Sequence, residues 1–90
     1  IFIFTEKGLP LFASRDWHPR NHCSFRENGG PWPAHCVAGT PGAGFAAALD
    51  IPCQTVIVSK GCAADRDAYS AFDATGLASQ LAAAGVRRLF

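Results

Sequence analysis

One aspartate and all three histidines of the chain, Asp16, His18, His22 and His35, fall within a single stretch rich in proline, glycine and asparagine. In extended backbone, residues two apart point to the same side, so Asp16 and His18 of Asp16-Trp17-His18 can converge on one point. A carboxylate with two or three imidazoles suits Zn²⁺, and also Fe²⁺ or Mn²⁺, and it leaves coordination positions open for water or substrate. Such a site would be catalytic rather than structural. A zinc finger fits poorly, because His18-x₃-His22 has no C-x₂-C upstream. Spacing alone fits equally well an ordinary polar loop whose aspartate caps a turn.

These residues need elements to hold them. Ile1 to Lys7 reads as the tail of a helix, with Gly8 as a stop residue that tolerates positive φ. Leu9 to Ser14 reads as a short buried strand with Pro10 confined to its first positions, which puts Asp16 just past the strand's end. Arg15 to Gly44 lacks any sustained period and reads as a long functional loop. Thr55-Val56-Ile57-Val58-Ser59 is β-branched and apolar, as a doubly covered parallel strand should be, and Lys60 leaves its end. A polar loop from Lys60 to Thr75 leads to a helix over Leu77 to Ala84, stopped by Gly85, and Arg87 to Phe90 is expected to open another strand. Helix, strand, loop, strand, helix, strand is the order of an α/β protein with a mostly parallel sheet.

Hydrophobic residues make up 49% of the chain and charged residues 17%, the composition of one small packed domain. A formal charge of +1 gives no clustered cation face for phosphate, which argues against nucleic acid as a partner. The apolar opening Ile1-Phe2-Ile3-Phe4 is interrupted at once by Thr5, Glu6 and Lys7, too soon for a signal segment or a membrane span, so a soluble protein is expected. Cys23, Cys36, Cys53 and Cys62 form no C-x-x-C pair, and a chain this apolar does not need disulfide staples. Reduced thiols in the cytoplasm are expected. Gly39-Thr40-Pro41-Gly42-Ala43-Gly44 lacks the preceding strand and the Gly-Lys-Ser/Thr ending of a phosphate loop, and turn chemistry explains it. With no Met and a strand just opening at Arg87-Arg88-Leu89-Phe90, the chain reads as a fragment.

Longer runs of residues carry a resemblance. Ser14-Arg15-Asp16-Trp17-His18-Pro19 with His22, Ser24 and Phe25, then Trp32-Pro33-Ala34-His35-Cys36-Val37 and Gly39-Thr40, then Lys60-Gly61 and Asp67-Ala68-Tyr69-Ser70-Ala71-Phe72, resemble nicotinamidases of the isochorismatase-like superfamily in order and spacing. The resemblance covers nearly the whole chain. It implies a three-layer, Rossmann-like α/β fold with a mostly parallel sheet, incomplete here, with residues 1–90 as the central part of a single domain. It further implies that Asp16, His18 and His35 bind one divalent metal, zinc by preference and iron or manganese as alternatives. His22 is a fourth ligand in some members and lines the site in others. Trp32 would be a wall of an aromatic substrate pocket, with Tyr69 near it and a core anchor as the alternative role for Trp32. Lys60 would belong to a catalytic Asp, Lys, Cys triad, where a cation beside a thiol favours the nucleophilic thiolate.

The same resemblance places the triad aspartate before Ile1 and the cysteine beyond Phe90, and none of the four cysteines present takes the nucleophile's place. The implied activity is hydrolysis of nicotinamide to nicotinate and ammonia through a cysteinyl acyl-enzyme, with the ninety residues alone inactive. Nicotinamide is then the expected partner, and self-association, common in the family, stays open. The competing readings are a hydrolase that activates water directly on its metal, and a non-catalytic metal-binding module.

Overall fold

A computed structural model describes all ninety residues, in the order α1 (Phe2–Glu6), β1 (Phe12–Asp16), β2 (Val56–Lys60) and α2 (Leu77–Ala83). Single 3₁₀ turns at Arg26–Asn28 and Pro41–Ala43 punctuate the long segment between the strands. β1 and β2 pair in parallel, with Phe12 opposite Val56 and Asp16 opposite Lys60. α2 packs Leu77 and Leu81 against Val58, with Phe12, Ala71 and Val86 around them. Leu77 and Leu81, four apart, share one helix face, and burying each of these side chains stabilises by roughly 1.5–3 kcal/mol. The result is part of an α/β fold: two parallel strands with a helix on one face.

Both expected glycine stops hold. Gly8 follows the α1 cap Lys7 with φ of 66°, and Gly85 closes α2 with φ of 71°, the left-handed conformation in which glycine has no Cβ to clash. The strands are shifted from their expected bounds. β1 runs Phe12–Asp16 rather than Leu9–Ser14, because the ladder begins where β2 can pair: the Val56 N–H donates to the Leu11 carbonyl at 2.9 Å, beyond Pro10. Asp16 is therefore the last residue of the strand, not a loop residue after it. Arg87 to Phe90 forms no strand. These residues have no neighbouring strand to bond, and Phe90 instead meets Phe4 edge to face at 5.8 Å between ring centres.

The sheet is covered on one side. Nine of ninety residues are buried, and Ile57, on β2, is 38% exposed. The radius of gyration is 14.9 Å, larger than the about 12 Å of a closed domain of this length. Phe2, Ile3, Leu89 and Phe90 are likewise exposed. No helix is long and apolar enough to cross a membrane.

Candidate metal and substrate site

The long segment between the strands builds a small core of its own. Phe25 is fully buried, and its ring centre lies 5.9 Å from His18, 5.6 Å from His22 and 5.2 Å from His35. The path of the backbone makes this packing feasible. Gly30 lies against the Ser24 backbone so closely that a Cβ there would sit 2.1 Å from the Ser24 carbonyl carbon. That approach lets Trp32 N–H donate to Ser24 O (2.9 Å) and Arg26 N–H donate to Trp32 O (2.6 Å). Cys36 takes a left-handed φ of 48°, and its carbonyl accepts the His18 N–H at 2.9 Å while His18 O accepts from Ala38 (2.8 Å). His18 and His35 are thereby drawn to the end of β1.

Asp16 and Lys60 are register partners at the carboxyl ends of two parallel strands, the position where open α/β sheets collect their ligands. Lys60 Nζ donates to Asp16 Oδ1 at 2.5 Å and to the Ala68 carbonyl at 2.7 Å. His18 is buried, and its Nε2 lies 4.0 Å from Asp16 Oδ2. Around this pair lies a depression of about 90 Å³ whose lining includes Asp16, His18, Trp32, His35, Lys60 and Tyr69, together with Ser24 and Asp67. Trp32 is 55% exposed and Tyr69 85% exposed, so neither serves as a core anchor.

The histidine tautomers follow from their partners. A carbonyl can only accept, so His18 Nδ1 donates to Gly61 O (2.8 Å) and His35 Nδ1 donates to Pro33 O (2.8 Å). In the neutral ring this tautomer leaves the lone pair on Nε2, the form in which imidazole binds a metal, and a backbone carbonyl on the far nitrogen is one of the usual orienting contacts of such ligands. Gly61 makes the His18 contact possible: its φ is 65°, and a Cβ there would lie 2.5 Å from His18 Cε1.

His22, expected as a fourth ligand or as a residue lining the site, does not share this arrangement. It is fully buried, it does not line the depression, and both ring nitrogens are engaged. The Ser24 N–H donates to Nδ1 at 3.2 Å, the Ser24 hydroxyl lies 2.7 Å from the same nitrogen, and Nε2 donates to Arg66 O at 3.0 Å. His22 braces the Asp16 site from beneath, its ring centre 4.1 Å from that of His18. Cys23, Cys36, Cys53 and Cys62 are all free thiols. Gly61, Asp67 and Ala68 stood in the motifs without a role, since the contacts of the Gly61 carbonyl with His18 and of the Ala68 carbonyl with Lys60 leave no side-chain signature in the sequence.

No protein-family model matches the chain. A nicotinamidase from Acinetobacter baylyi is 37% identical over 89% of this chain and 48% of its own length. The crystal structure of a pyrazinamidase from Pyrococcus horikoshii in complex with zinc is 55% identical, with a TM-score of 0.91 over 98% of this chain and 48% of that one. PnC1 from L. infantum, solved in complex with nicotinate, is 44% identical, with a TM-score of 0.81 over 88% of this chain and 42% of that one. The chain thus spans about half the length of the proteins it matches. In sequence and in fold these ninety residues are similar to about half of a nicotinamidase or pyrazinamidase, proteins of isochorismatase-like architecture.

Proposed function

We propose that the protein containing this chain hydrolyses nicotinamide to nicotinate and ammonia, and that these residues supply its metal ligands, one catalytic lysine and part of its aromatic pocket. The observation that carries the reading is the convergence of Asp16, His18 and His35 beside Lys60 at the strand ends, with both Nδ1 atoms held by backbone carbonyls. One carboxylate and two bare imidazole nitrogens make a mixed N/O donor set suited to zinc, with iron and manganese as alternatives. The bound ion would hold the substrate's ring nitrogen and ordered water. The zinc in the P. horikoshii relative and the nicotinate in the L. infantum relative support this assignment.

Trp32 and Tyr69, exposed beside these ligands, flank the flat pyridine ring, where aromatic faces favour stacking. Lys60 keeps its ammonium in place through Asp16 and the Ala68 carbonyl. Its positive charge stabilises the thiolate of a cysteine supplied from outside these ninety residues and lowers the cost of forming the nucleophile. The thiolate attacks the amide carbon, the proton taken from the thiol passes to the amide nitrogen so that ammonia leaves, and water hydrolyses the thioester to release nicotinate and restore the thiol. His22 acts as a buried brace rather than a ligand of this site. The free thiols fit a cytoplasmic enzyme.

The test is ammonia release from nicotinamide by the full-length protein, with and without a chelator, beside an Asp16→Ala variant. Activity that vanishes on chelation and in the variant is the expected result. A folded, metal-loaded protein that releases no ammonia would leave only a metal-binding module, and activity that survives loss of the nucleophilic cysteine would favour direct water activation on the metal.

A further inference from the structure

A second cluster of metal-binding side chains lies outside the Asp16 site. A ring nitrogen of His22, the thiol of Cys23 and the carboxylate of Asp67 all lie within 4.8 Å of one another. They come from two loops already tied together, since Cys23 N–H donates to Ala64 O (2.7 Å) and His22 Nε2 donates to Arg66 O (3.0 Å). Ser24 covers His22 Nδ1, so the nitrogen that can be freed for an ion is Nε2, and the Arg66 carbonyl beside it is a fourth donor.

We propose that His22, Cys23 and Asp67 form a second metal site, which takes a thiophilic divalent cation of the zinc class and pins the loop before Tyr69 to the loop after His18. One nitrogen, one sulfur and one or two oxygens form a four-coordinate set of the kind zinc accepts. Ligand atoms around tetrahedral zinc stand about 3.3–3.8 Å apart, so the present spacing must close slightly. Asp67 is exposed and Cys23 half-buried, which leaves both free to turn inward, while His22 is fixed by burial. The protons balance. Cys23 gives its thiol proton to solvent, and His22 remains neutral as its proton moves from Nε2 to Nδ1, which then donates to Ser24 Oγ at 2.7 Å in place of the bond it accepts from the Ser24 N–H at 3.2 Å. Because Asp67 also lines the substrate depression, filling this site fixes one part of that wall.

Sulfur separates the two sites experimentally, since the Asp16, His18 and His35 set contains none. Cobalt(II) added anaerobically to the full-length protein is expected to give a thiolate-to-metal absorption band in the near ultraviolet. The band should survive His35→Ala, Cys53→Ser and Cys62→Ser and disappear in Cys23→Ser. Its absence from the wild type, or its persistence in Cys23→Ser, overturns the proposal. A second measurement needs no variant: zinc should slow alkylation of Cys23 by iodoacetamide severalfold while leaving exposed Cys53 unaffected, and equal rates at Cys23 with and without zinc overturn it as well. Neither readout depends on amide hydrolysis, so the second site and the proposed enzyme activity stand or fall separately.

Discussion

Replacing Gly61 with valine tests the idea that a backbone carbonyl, rather than any side chain, sets the orientation of His18. Gly61 has φ of 65°, a conformation that costs an L-residue roughly 1–2 kcal/mol and a β-branched one at least as much. The new Cβ would lie 2.5 Å from His18 Cε1 and 2.7 Å from Nδ1, where carbon atoms in contact prefer about 3.5–4.0 Å. The imidazole must retreat by about 1 Å, which the buried ring beside His22 and Phe25 can do only by giving up its bond to Gly61 O. The combined cost is roughly 2–5 kcal/mol of stability, and losing the contact that orients a ligating histidine lowers metal affinity about 10–100-fold. Competition titration with a zinc indicator on the full-length protein reads the affinity, and thermal melting of the apo form reads the stability. Gly76→Ala is the control, because Gly76 has φ of −84° and nothing within 4 Å of its Cβ position, and it should change neither. A folded Gly61→Val protein that binds zinc as the wild type does would refute the argument.

Lys60→Met should lower nicotinamide hydrolysis by about 100- to 1000-fold, the scale of losing one charged group aimed at a reacting centre, while zinc binding is no weaker, because Asp16 loses the cation that competes for its oxygen; kinetics and zinc titration together check this. His35→Ala should abolish zinc binding at the Asp16 site with little change in melting temperature, since His35 is only half-buried. His22→Ala should do the reverse, costing about 2–4 kcal/mol by leaving Ser24 and Arg66 without their buried partner and opening a void beside Phe25, with a visible cobalt spectrum from the Asp16 set retained.

Periodicity and stop residues were enough to find β2, α2 and the two glycine-terminated helix ends, because local chain preference and packing agree there. The ends of β1 were not legible. Its register is decided by β2, forty residues on, and the ladder reaches two residues further than the apolar run to take in Asp16. Arg87 to Phe90 has the composition of a strand, but a strand exists only when a neighbour accepts its hydrogen bonds. Asp16, His18, His35, Lys60, Trp32 and Tyr69, singled out from the sequence by type, line one depression. What separates His22 from His18 and His35 is which nitrogen each can spare. That depends on Ser24, Arg66, Gly61 and Pro33, and no spacing rule contains it.

The ring of three histidines about Phe25 has a further meaning for how this protein comes apart. The segment between the strands has its own buried centre at Phe25 and its own ladder of bonds through Ser24, Arg26 and Trp32, and it is tied to the loop after β2 through Gly61, Ala64 and Arg66, which are the features of a local unit able to open apart from the β1–β2–α2 layer. Such a unit can open while the sheet stays closed, releasing His18 and His35 together and recapturing them together while Asp16 stays at the end of β1. An ion bound between that unit and the end of β1 would act as a clasp, and the shape of the depression would then depend on how often the clasp is fastened rather than on how stable the whole fold is.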